Sequence, residues 1–228
     1  MGLIVAIDGE AGAGKSTVAK EVAKMINFVY VDTGAMFRCV TLDALNKKID
    51  VSNKYVIAEI LENIEIKFEN DTLGQKVFLN GLDVTDKIRT KDVDDKVAEF
   101  AAVGEIREKL KELEQEMGKM GNIVMEGRDI GTTIFPNADV KLYIEVSEEE
   151  RARRRYNQNL EKGINMSYEE ILANIKKRHK LETEREISPL RKAEDAIEID
   201  TTNMTFEESI KRIITIINDV KIGKNLKN

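Results

Sequence analysis

The segment LIVAIDGEAGAGKST, residues 3–17, decides the fold of this chain. Leu3 to Ile7 is a short unbroken apolar run, which is typical of a strand buried on both faces of a parallel sheet. Residues 9–16 fit the pattern G-x-x-x-x-G-K-[ST], and the apolar positions that follow recur with the spacing of an amphipathic helix. The segment therefore predicts a strand, a phosphate-binding loop and a helix, in that order.

The residue types of this loop suit a nucleoside triphosphate. Glycines allow consecutive backbone N–H groups to point into one concavity, and the start of the following helix adds unpaired N–H groups and a positive dipole end. The Lys15 side chain can reach the β- and γ-phosphates, while the Ser16 hydroxyl can occupy a coordination position of Mg²⁺. A chain of this length matches the pattern by chance about once in a hundred. With the flanking elements also in place, we interpret the segment as a nucleoside triphosphate site.

Composition and charge bound the class of protein. The 228 residues suffice for one well-buried α/β domain, and a formal net charge of −6 argues against binding to nucleic acid or to a membrane surface. Cys39 is the only cysteine, which excludes an internal disulfide, and no apolar run approaches the roughly 20 residues that span a bilayer. We expect a cytoplasmic protein with no membrane or nucleic-acid partner. We also expect a monomer, because no exposed apolar stripe is evident.

Four further apolar runs predict buried strands, with helical patterns between them. These runs are Phe28–Val31, Asn122–Met125, Val140–Val146 and Ala196–Ile199. Strands that alternate with helices are typical of a doubly wound parallel sheet. A serine followed three residues later by a glutamate, at Ser147 and at Ser167, predicts a capping box at the start of a helix.

One stretch departs from this pattern. Between Ile64 and Val84 apolar residues alternate with polar ones, Asn70-Asp71 is a turn candidate, and Asn80-Gly81 is a strong signal for a two-residue hairpin. We interpret the stretch as a meander of three short antiparallel strands. It belongs to an inserted subdomain rather than to the parallel sheet.

Arginines narrow the class further. Arg151, Arg154 and Arg155 share one face of a predicted helix through their i+3 and i+4 spacing. Guanidinium groups can bind the oxygens of a transferred phosphoryl group two at a time, which suits an enzyme that moves phosphoryl between phosphates. A solvated helix face is the alternative, because Glu150 lies four residues before Arg154 and can form an ion pair with it. Beside a phosphate loop, we favour the functional interpretation.

Six segments carry a resemblance to a known family. They are IDGEAGAGKSTVAK (Ile7–Lys20), YVDTGAMFR (Tyr30–Arg38), LNGLDVTDKIRT (Leu79–Thr90), EGRDIGT (Glu126–Thr132), ERARRRY (Glu150–Tyr156) and ISPLRKAEDAIEIDTT (Ile187–Thr202). Many families share the first segment, whereas the second and fourth are far more specific. With these segments the chain resembles the bacterial-type cytidylate kinases, the CMP/dCMP kinases, over nearly its whole length.

The resemblance implies an α/β fold in which a parallel sheet of the P-loop NTPase type is flanked by helices. It also implies an inserted subdomain that binds the nucleoside monophosphate and carries the meander, and a short lid. Within a single domain, 1–228, the core is expected at about 1–34, 105–148 and 187–220. The insert is expected at about 35–104 and the lid at about 149–165.

The activity implied by the resemblance is ATP-dependent phosphorylation of CMP and dCMP to CDP and dCDP by direct in-line transfer, with Mg²⁺ required. The ATP phosphates would be held by Gly9, Glu10, Ala11, Gly12, Ala13, Gly14, Lys15, Ser16 and Thr17. Ser16 would also ligate Mg²⁺. The catalytic residues would be Lys15, Arg128, Asp129 and the lid arginines Arg151, Arg154 and Arg155.

Acceptor-binding positions carry over in the same way. Arg38 and Arg128 would bind the acceptor phosphate, with Asp32 and Thr33 nearby. The pair Arg107 and Asp129 would face the cytosine edge, while Arg178 and Arg185 would reach the sugar and phosphate. Three positions depart from the family pattern: Ala98 for a serine against the base, Glu182 for an aspartate near the ribose, and His179 for an aspartate. We expect His179 to be a surface or structural residue, because phosphoryl transfer depends mostly on positioning and electrostatics.

Three alternatives remain open at this point. Another small-molecule kinase of the same fold could act on UMP, AMP or a non-nucleotide alcohol, although Arg107 and Asp129 favour a polar base edge. A regulator that binds ATP without transferring phosphoryl is disfavoured by the lid arginines. Nucleic-acid binding through the arginine run is disfavoured by the acidic net charge.

Overall fold

A computed structural model describes residues 2–71, 74–161 and 163–225 of the protein. The strands in chain order are β1 (Ile4–Gly9), β2 (Val29–Asp32), β3 (Ile66–Asp71), β4 (Gly74–Leu79), β5 (Leu82–Asp83), β6 (Ile123–Gly127), β7 (Val140–Glu145) and β8 (Ile197–Asp200). The α-helices are α1 (Lys15–Met25), α2 (Thr33–Asn46), α3 (Lys54–Glu62), α4 (Lys91–Phe100), α5 (Gly104–Gly118), α6 (Glu148–Glu161), α7 (Tyr168–Glu184) and α8 (Phe206–Asn225). A 3₁₀ turn spans Lys87–Arg89, and a π-helical turn spans Ile130–Ile134.

The predicted parallel sheet is confirmed, with the strand order β2-β6-β1-β7-β8. β1 lies in the middle and pairs in parallel with β6 on one side and with β7 on the other, and β7 pairs in parallel with β8. The strand order therefore reverses at β1. In sheets of this kind, ligands bind outside the carboxyl ends of the strands at such a reversal.

Apolar packing on β1 fixes the position of the phosphate loop. Val5 and Ile7 of β1 are fully buried in a core cluster, together with Val22 of α1 and Ile213 of α8. Burial of a large aliphatic side chain stabilises the fold by about 1.5–3 kcal/mol. The strand before the loop and the helix after it are thus both anchored in the core.

The two predicted capping boxes have different outcomes. At the start of α7, the Ser167 hydroxyl accepts from the Glu170 N–H and the Glu170 carboxylate accepts from the Ser167 N–H, as predicted. At the start of α6, the Ser147 hydroxyl accepts from the Glu150 N–H, but the Glu150 carboxylate binds Arg153 and Arg154 instead. The second box is therefore only half formed, because a charged partner competes for the glutamate.

Contacts divide the chain into two compact units. The first comprises Met1–Val31 and Gly118–Asn228, and the second comprises Asp32–Met117. The bounds expected from the sequence, which put residues from 105 onward in the core, stay a prediction; this division places α5 up to Met117 in the second unit. Arg107 of α5 shows why: it donates to the Ala101 carbonyl oxygen, and its guanidinium lies 5.2 Å from the centre of the Phe37 ring.

The antiparallel meander lies in the second unit, with strand order β3-β4-β5. Its predicted hairpin is confirmed: Asn80 and Gly81 have φ values of 50° and 79°, the left-handed conformation that a type I′ turn requires at both positions. The prediction of a turn at Asn70-Asp71 is wrong, because both residues belong to β3. β3 continues through Asp71, which pairs with Gly74 of β4, and the two residues between them lie outside the described residues.

An amphipathic pattern over Phe206–Val220, followed by polar residues, predicts a C-terminal helix with a frayed tail from Lys221 onward. The helix is longer than predicted, because α8 continues to Asn225. The Lys221 ammonium lies 4.6 Å from the centre of the Phe28 ring, and this cation–π contact supports the extension.

The apolar neighbours Phe37, Val40 and Leu42 in the sequence predict a buried thiol at Cys39, and the structure confirms it. Burial, followed by the charge of Asp32, raises the pKa of this thiol on α2 to about 12. Because only the thiolate is nucleophilic, we expect Cys39 of the folded protein to react with a thiol reagent at pH 8 about a thousandfold more slowly than free cysteine. Unfolding in guanidinium should expose one reactive thiol per chain. Rapid labelling of the folded protein would contradict this account.

Candidate active site

The phosphate loop follows β1 directly, and two glycines have positions that no other residue could take without strain. A Cβ on Gly9 would lie 2.2 Å from the carbonyl oxygen of Ile144 in the neighbouring strand β7. Gly14 caps the start of α1 with φ 79°, in the left-handed region. Gly9 therefore lets the loop pass close to β7 as it leaves the sheet, and Gly14 lets the backbone turn into the first residue of α1. Ser16 and Thr17 lie exposed in the first turn of α1.

Lys15 is buried at the base of this loop. Its ammonium donates to the Glu10 carbonyl oxygen at 2.7 Å, so the side chain folds back along the loop. Burial, and next the positive charge of Arg128, lower the pKa of Lys15 to about 7, against the opposing effect of Glu126, Glu182 and Asp8. An anionic ligand would favour the charged form of this group.

Asp8, which the sequence analysis did not select, organises the neighbouring strand end. Its carboxylate accepts from the backbone N–H groups of Ile130 and Gly131 at 2.8 and 2.7 Å. Despite these bonds, burial raises the pKa of Asp8 to about 6. The carboxylate fixes the backbone just after Arg128 and Asp129. A charged residue at the end of an apolar strand was the available signal.

Arg128, Glu182 and Arg178 form a cluster of alternating charge. The two oxygens of Glu182 accept from Arg128 Nε at 2.8 Å and from Arg178 Nε at 2.9 Å. Although burial acts to raise it, these two arginines lower the pKa of Glu182 to about 2. Glu182 therefore remains charged and holds both guanidinium groups in place.

Two further pairs extend this part of the first unit. Arg185 Nη2 lies 3.5 Å from the Asp129 carboxylate, and both side chains are buried. Glu126, at the carboxyl end of β6, accepts from the Tyr30 hydroxyl at 2.8 Å. Glu126 and Tyr30 could not be selected from the sequence, because a pair across two strands leaves no local pattern.

The three predicted lid arginines on α6 have different surroundings. Arg151 is fully buried and donates through Nη1 to the Ala11 carbonyl oxygen of the phosphate loop at 3.2 Å. Arg154 donates to the Thr201 carbonyl oxygen, and its Nη1 lies 3.7 Å from the position of a Cβ on Gly14. Arg155 is exposed. The structure thus brings Arg151 and Arg154 to the loop.

In the second unit, charged side chains pair at the junction of β2 and α2. The Asp32 carboxylate caps α2 through the Ala35 N–H and binds Arg89 at 2.6 Å. Arg38 donates to the Ile88 carbonyl oxygen at 3.2 Å and pairs with Asp94 at 2.5 Å. The sequence analysis predicted Asp32 and Arg38 here but missed their partners Arg89 and Asp94.

The remaining predicted acceptor residues of this unit are Thr33, Ala98 and Arg107. Thr33 is buried at the start of α2, and Ala98 is half-buried on α4. Arg107 is buried over Phe37, as described above. Asp129, the predicted partner of Arg107 at the base, belongs to the other unit.

The residues at the loop fit a magnesium ion that is bound chiefly by its nucleotide. Mg²⁺ usually takes one or two protein oxygen ligands, together with water and substrate phosphates. The exposed Ser16 hydroxyl, next to Lys15 at the helix start, can supply one oxygen. Among the described residues, no group of three or more histidine, cysteine, aspartate or glutamate side chains could hold a metal by itself.

The central strand of the parallel sheet leads into a glycine-rich loop with a buried lysine, and a helix follows. This arrangement defines a phosphate-loop nucleotide-binding protein. The model of the cytidylate kinase family matches residues 5–219. Cytidylate kinase of Bacillus subtilis (strain 168) is 46% identical over 215 residues, which are 94% of this chain and 96% of that protein. Cytidylate kinase of Bacillus cereus (strain B4264) is 47% identical over 216 residues, 95% of this chain and 96% of that protein. The chain therefore belongs to the cytidylate kinase family.

A solved structure supports the fold. An uncharacterized protein from Eubacterium ventriosum ATCC 27560 superposes with a TM-score of 0.53 at 16% identity, covering 96% of this chain and 99% of that one. In the part of the chain that the structure describes, no helix has the length and apolarity needed to cross a membrane.

Proposed function

We propose that the protein transfers the γ-phosphoryl group of ATP to CMP, with dCMP as a second acceptor. The observation that carries this proposal is the buried Lys15 of the phosphate loop in a chain of the cytidylate kinase family. Lys15 lies close enough to Arg128 and Glu182 for their charges to shift its pKa. The bacterial relatives of similar length are named cytidylate kinases. We also propose a location in the cytoplasm, since a single buried cysteine suits a reducing compartment. A monomer is proposed because the sequence has no evident exposed apolar stripe.

On the donor side, residues Gly9–Thr17 bind the phosphates of ATP through backbone N–H groups. Lys15 moves from the Glu10 carbonyl oxygen to the β- and γ-phosphates. The Ser16 hydroxyl would hold Mg²⁺, which would neutralise part of the phosphate charge. Arg154 is close to Gly14 and is the lid arginine best placed to contact the transferring group; Arg151 and Arg155 complete the proposed lid.

On the acceptor side, Arg38 and Arg128 bind the phosphate of CMP, with Asp32 and Thr33 nearby. Arg107 and Asp129 recognise the cytosine edge. Arg178, Arg185 and Glu182 contact the sugar and phosphate. Support for Arg128 comes from its geometry, because Glu182 fixes its Nε at 2.8 Å and so presents the guanidinium in one orientation.

The chemistry that these residues support is a direct displacement. A phosphate oxygen of CMP attacks the γ-phosphorus of ATP in line with the leaving β-phosphate oxygen, with no covalent intermediate on the protein. Positively charged side chains offset the charge that spreads over the phosphoryl oxygens. Closure of the proposed lid over the site would exclude water, so that hydrolysis of ATP does not compete with transfer.

A panel of acceptors tests this function. ADP formation is measured with Mg·ATP and with CMP, dCMP, UMP or AMP in separate reactions. We expect turnover with CMP and dCMP only. Comparable turnover with UMP would show that Ala98 leaves the base pocket less selective. ATP binding without turnover on any acceptor would instead support a nucleotide-binding regulator.

The lowered pKa of Lys15 predicts proton uptake when ATP binds. With a pKa of about 7, the lysine is mostly neutral at pH 8, and the bound phosphates would restore its charge. Calorimetric titration with Mg·ATP in buffers of different ionisation enthalpy should give about 0.9 protons taken up at pH 8 and about 0.1 at pH 6. The Lys15→Arg variant should show no uptake from this position. Equal uptake at both pH values would contradict the assignment.

A further inference from the structure

Glu10 places a negative charge in a loop that binds a polyanion. A carboxylate at this position would repel the phosphates of ATP if it faced them without compensation. In the structure, the Glu10 side chain is only 14% exposed and is held between two helices. Its Oε2 lies 2.5 Å from Arg151 Nη2 of α6, and its Oε1 lies 2.9 Å from His179 Nδ1 of α7.

The Arg151 contact is rigid. Its guanidinium also donates through Nε to the Val146 carbonyl oxygen at 3.1 Å and through Nη1 to the Ala11 carbonyl oxygen at 3.2 Å. All three guanidinium nitrogens therefore have partners: the carbonyl oxygen of Val146 just after β7, the loop backbone and Glu10. This arrangement fixes one oxygen of the Glu10 carboxylate.

The second oxygen depends on His179. The Nδ1 atom of this residue is shielded from solvent, although the whole side chain is 34% exposed. The Nδ1 atom lies 2.9 Å from Glu10 Oε1, but the contact is bent away from the alignment of a hydrogen bond, so His179 acts on this oxygen as a nearby polar group. Because Glu182 of α7 also binds Arg128, the helix is anchored independently of this contact.

We propose that His179 is a positioning residue for the donor site: together with Arg151, whose charge compensates the Glu10 carboxylate, His179 holds this carboxylate in place so that the phosphate loop accepts ATP. His179 touches neither substrate nor the reacting atoms in this account. The inference rests on the proposed assignment of the loop to ATP. It predicts that loss of His179 weakens the use of ATP specifically, without affecting the acceptor.

Steady-state kinetics of the full-length protein test this inference. The His179→Leu variant should raise the KM for Mg·ATP about three- to fivefold at saturating CMP, with kcat and the KM for CMP changed less than about twofold. The His179→Asn variant should restore the wild-type KM, because its amide nitrogen can take the place of Nδ1. Lys180→Leu is the matched control, since it removes a side chain that is 72% exposed from the next position of the same helix.

The Glu10→Gln background identifies the cause. Without the carboxylate, His179→Leu should change the KM for ATP less than about 1.5-fold, and thermal unfolding followed by circular dichroism should show that each variant is folded at the assay temperature. The inference would be overturned if His179→Leu left the KM for ATP unchanged in the otherwise wild-type protein. It would also be overturned if His179→Leu raised this KM equally with Glu10 and with Gln at position 10. Lys15→Ala, assayed in parallel, separates this failure from that of the proposed function: if Lys15→Ala behaves like wild type, the loop assignment itself is wrong.

Discussion

Replacing Lys15 with alanine should lower kcat about a thousandfold while leaving the fold intact. Loss of one preorganised charge at the transition state costs roughly 10²–10³ in kcat, and Lys15 also positions the phosphates of ATP. The side chain lies in the loop, and its ammonium donates to the Glu10 carbonyl oxygen, so truncation removes no part of the apolar core. Initial rates of ADP formation with saturating CMP provide the measurement.

Lys20→Ala is the matched control for this prediction. Lys20 lies on the same helix and is exposed, so its removal should leave kcat within about twofold of wild type. Near-normal turnover of Lys15→Ala, with Lys20→Ala also normal, would show that the loop does not hold the transferring phosphates.

Replacing Arg128 with lysine should lower kcat/KM for CMP about a hundredfold. The substitution keeps the positive charge but removes the planar fork that binds two phosphate oxygens at once, and hydrogen bonds to charged groups are worth roughly 1.5–3 kcal/mol. The variant also loses the Nε donor that Glu182 holds at 2.8 Å, so the remaining ammonium is less well oriented. The KM for Mg·ATP should change less than about threefold.

Arg153→Lys serves as the control, because Arg153 has a 63% exposed side chain and pairs with Glu150 on the surface of α6. It should retain wild-type kinetics with both substrates. If Arg128→Lys kept kcat/KM for CMP within threefold of wild type, the acceptor phosphate would have to bind elsewhere.

Local patterns predicted much of the fold. The apolar runs located the strands of the parallel sheet, because a short unbroken apolar run is typical of a strand that is buried on both faces. Asn80-Gly81 located a hairpin, because two consecutive residues there need positive φ. The loop motif located Lys15 and Ser16, since its residue types follow from the geometry of phosphate binding.

Features that depend on tertiary contacts were not predictable in the same way. Nothing near Asp8 in the sequence indicates that it binds the backbone of Ile130 and Gly131, more than a hundred residues away. His179 was expected to be a surface or structural residue, but nothing in the sequence indicated that its Nδ1 faces Glu10 of the loop. The Glu150 carboxylate binds two arginines instead of completing the capping box, and the motif alone does not show which of these partners it takes.

Transfer of label tests the central claim most directly. The wild-type protein is incubated with CMP and with Mg·ATP that is radiolabelled at the γ-phosphate, and the products are separated. Direct transfer predicts that the label appears in the β-phosphate of CDP, in a one-to-one ratio with ADP, and that none remains on the protein. Label released as inorganic phosphate, or a labelled protein that passes its phosphoryl group to CMP, would contradict direct in-line transfer in a water-excluding site.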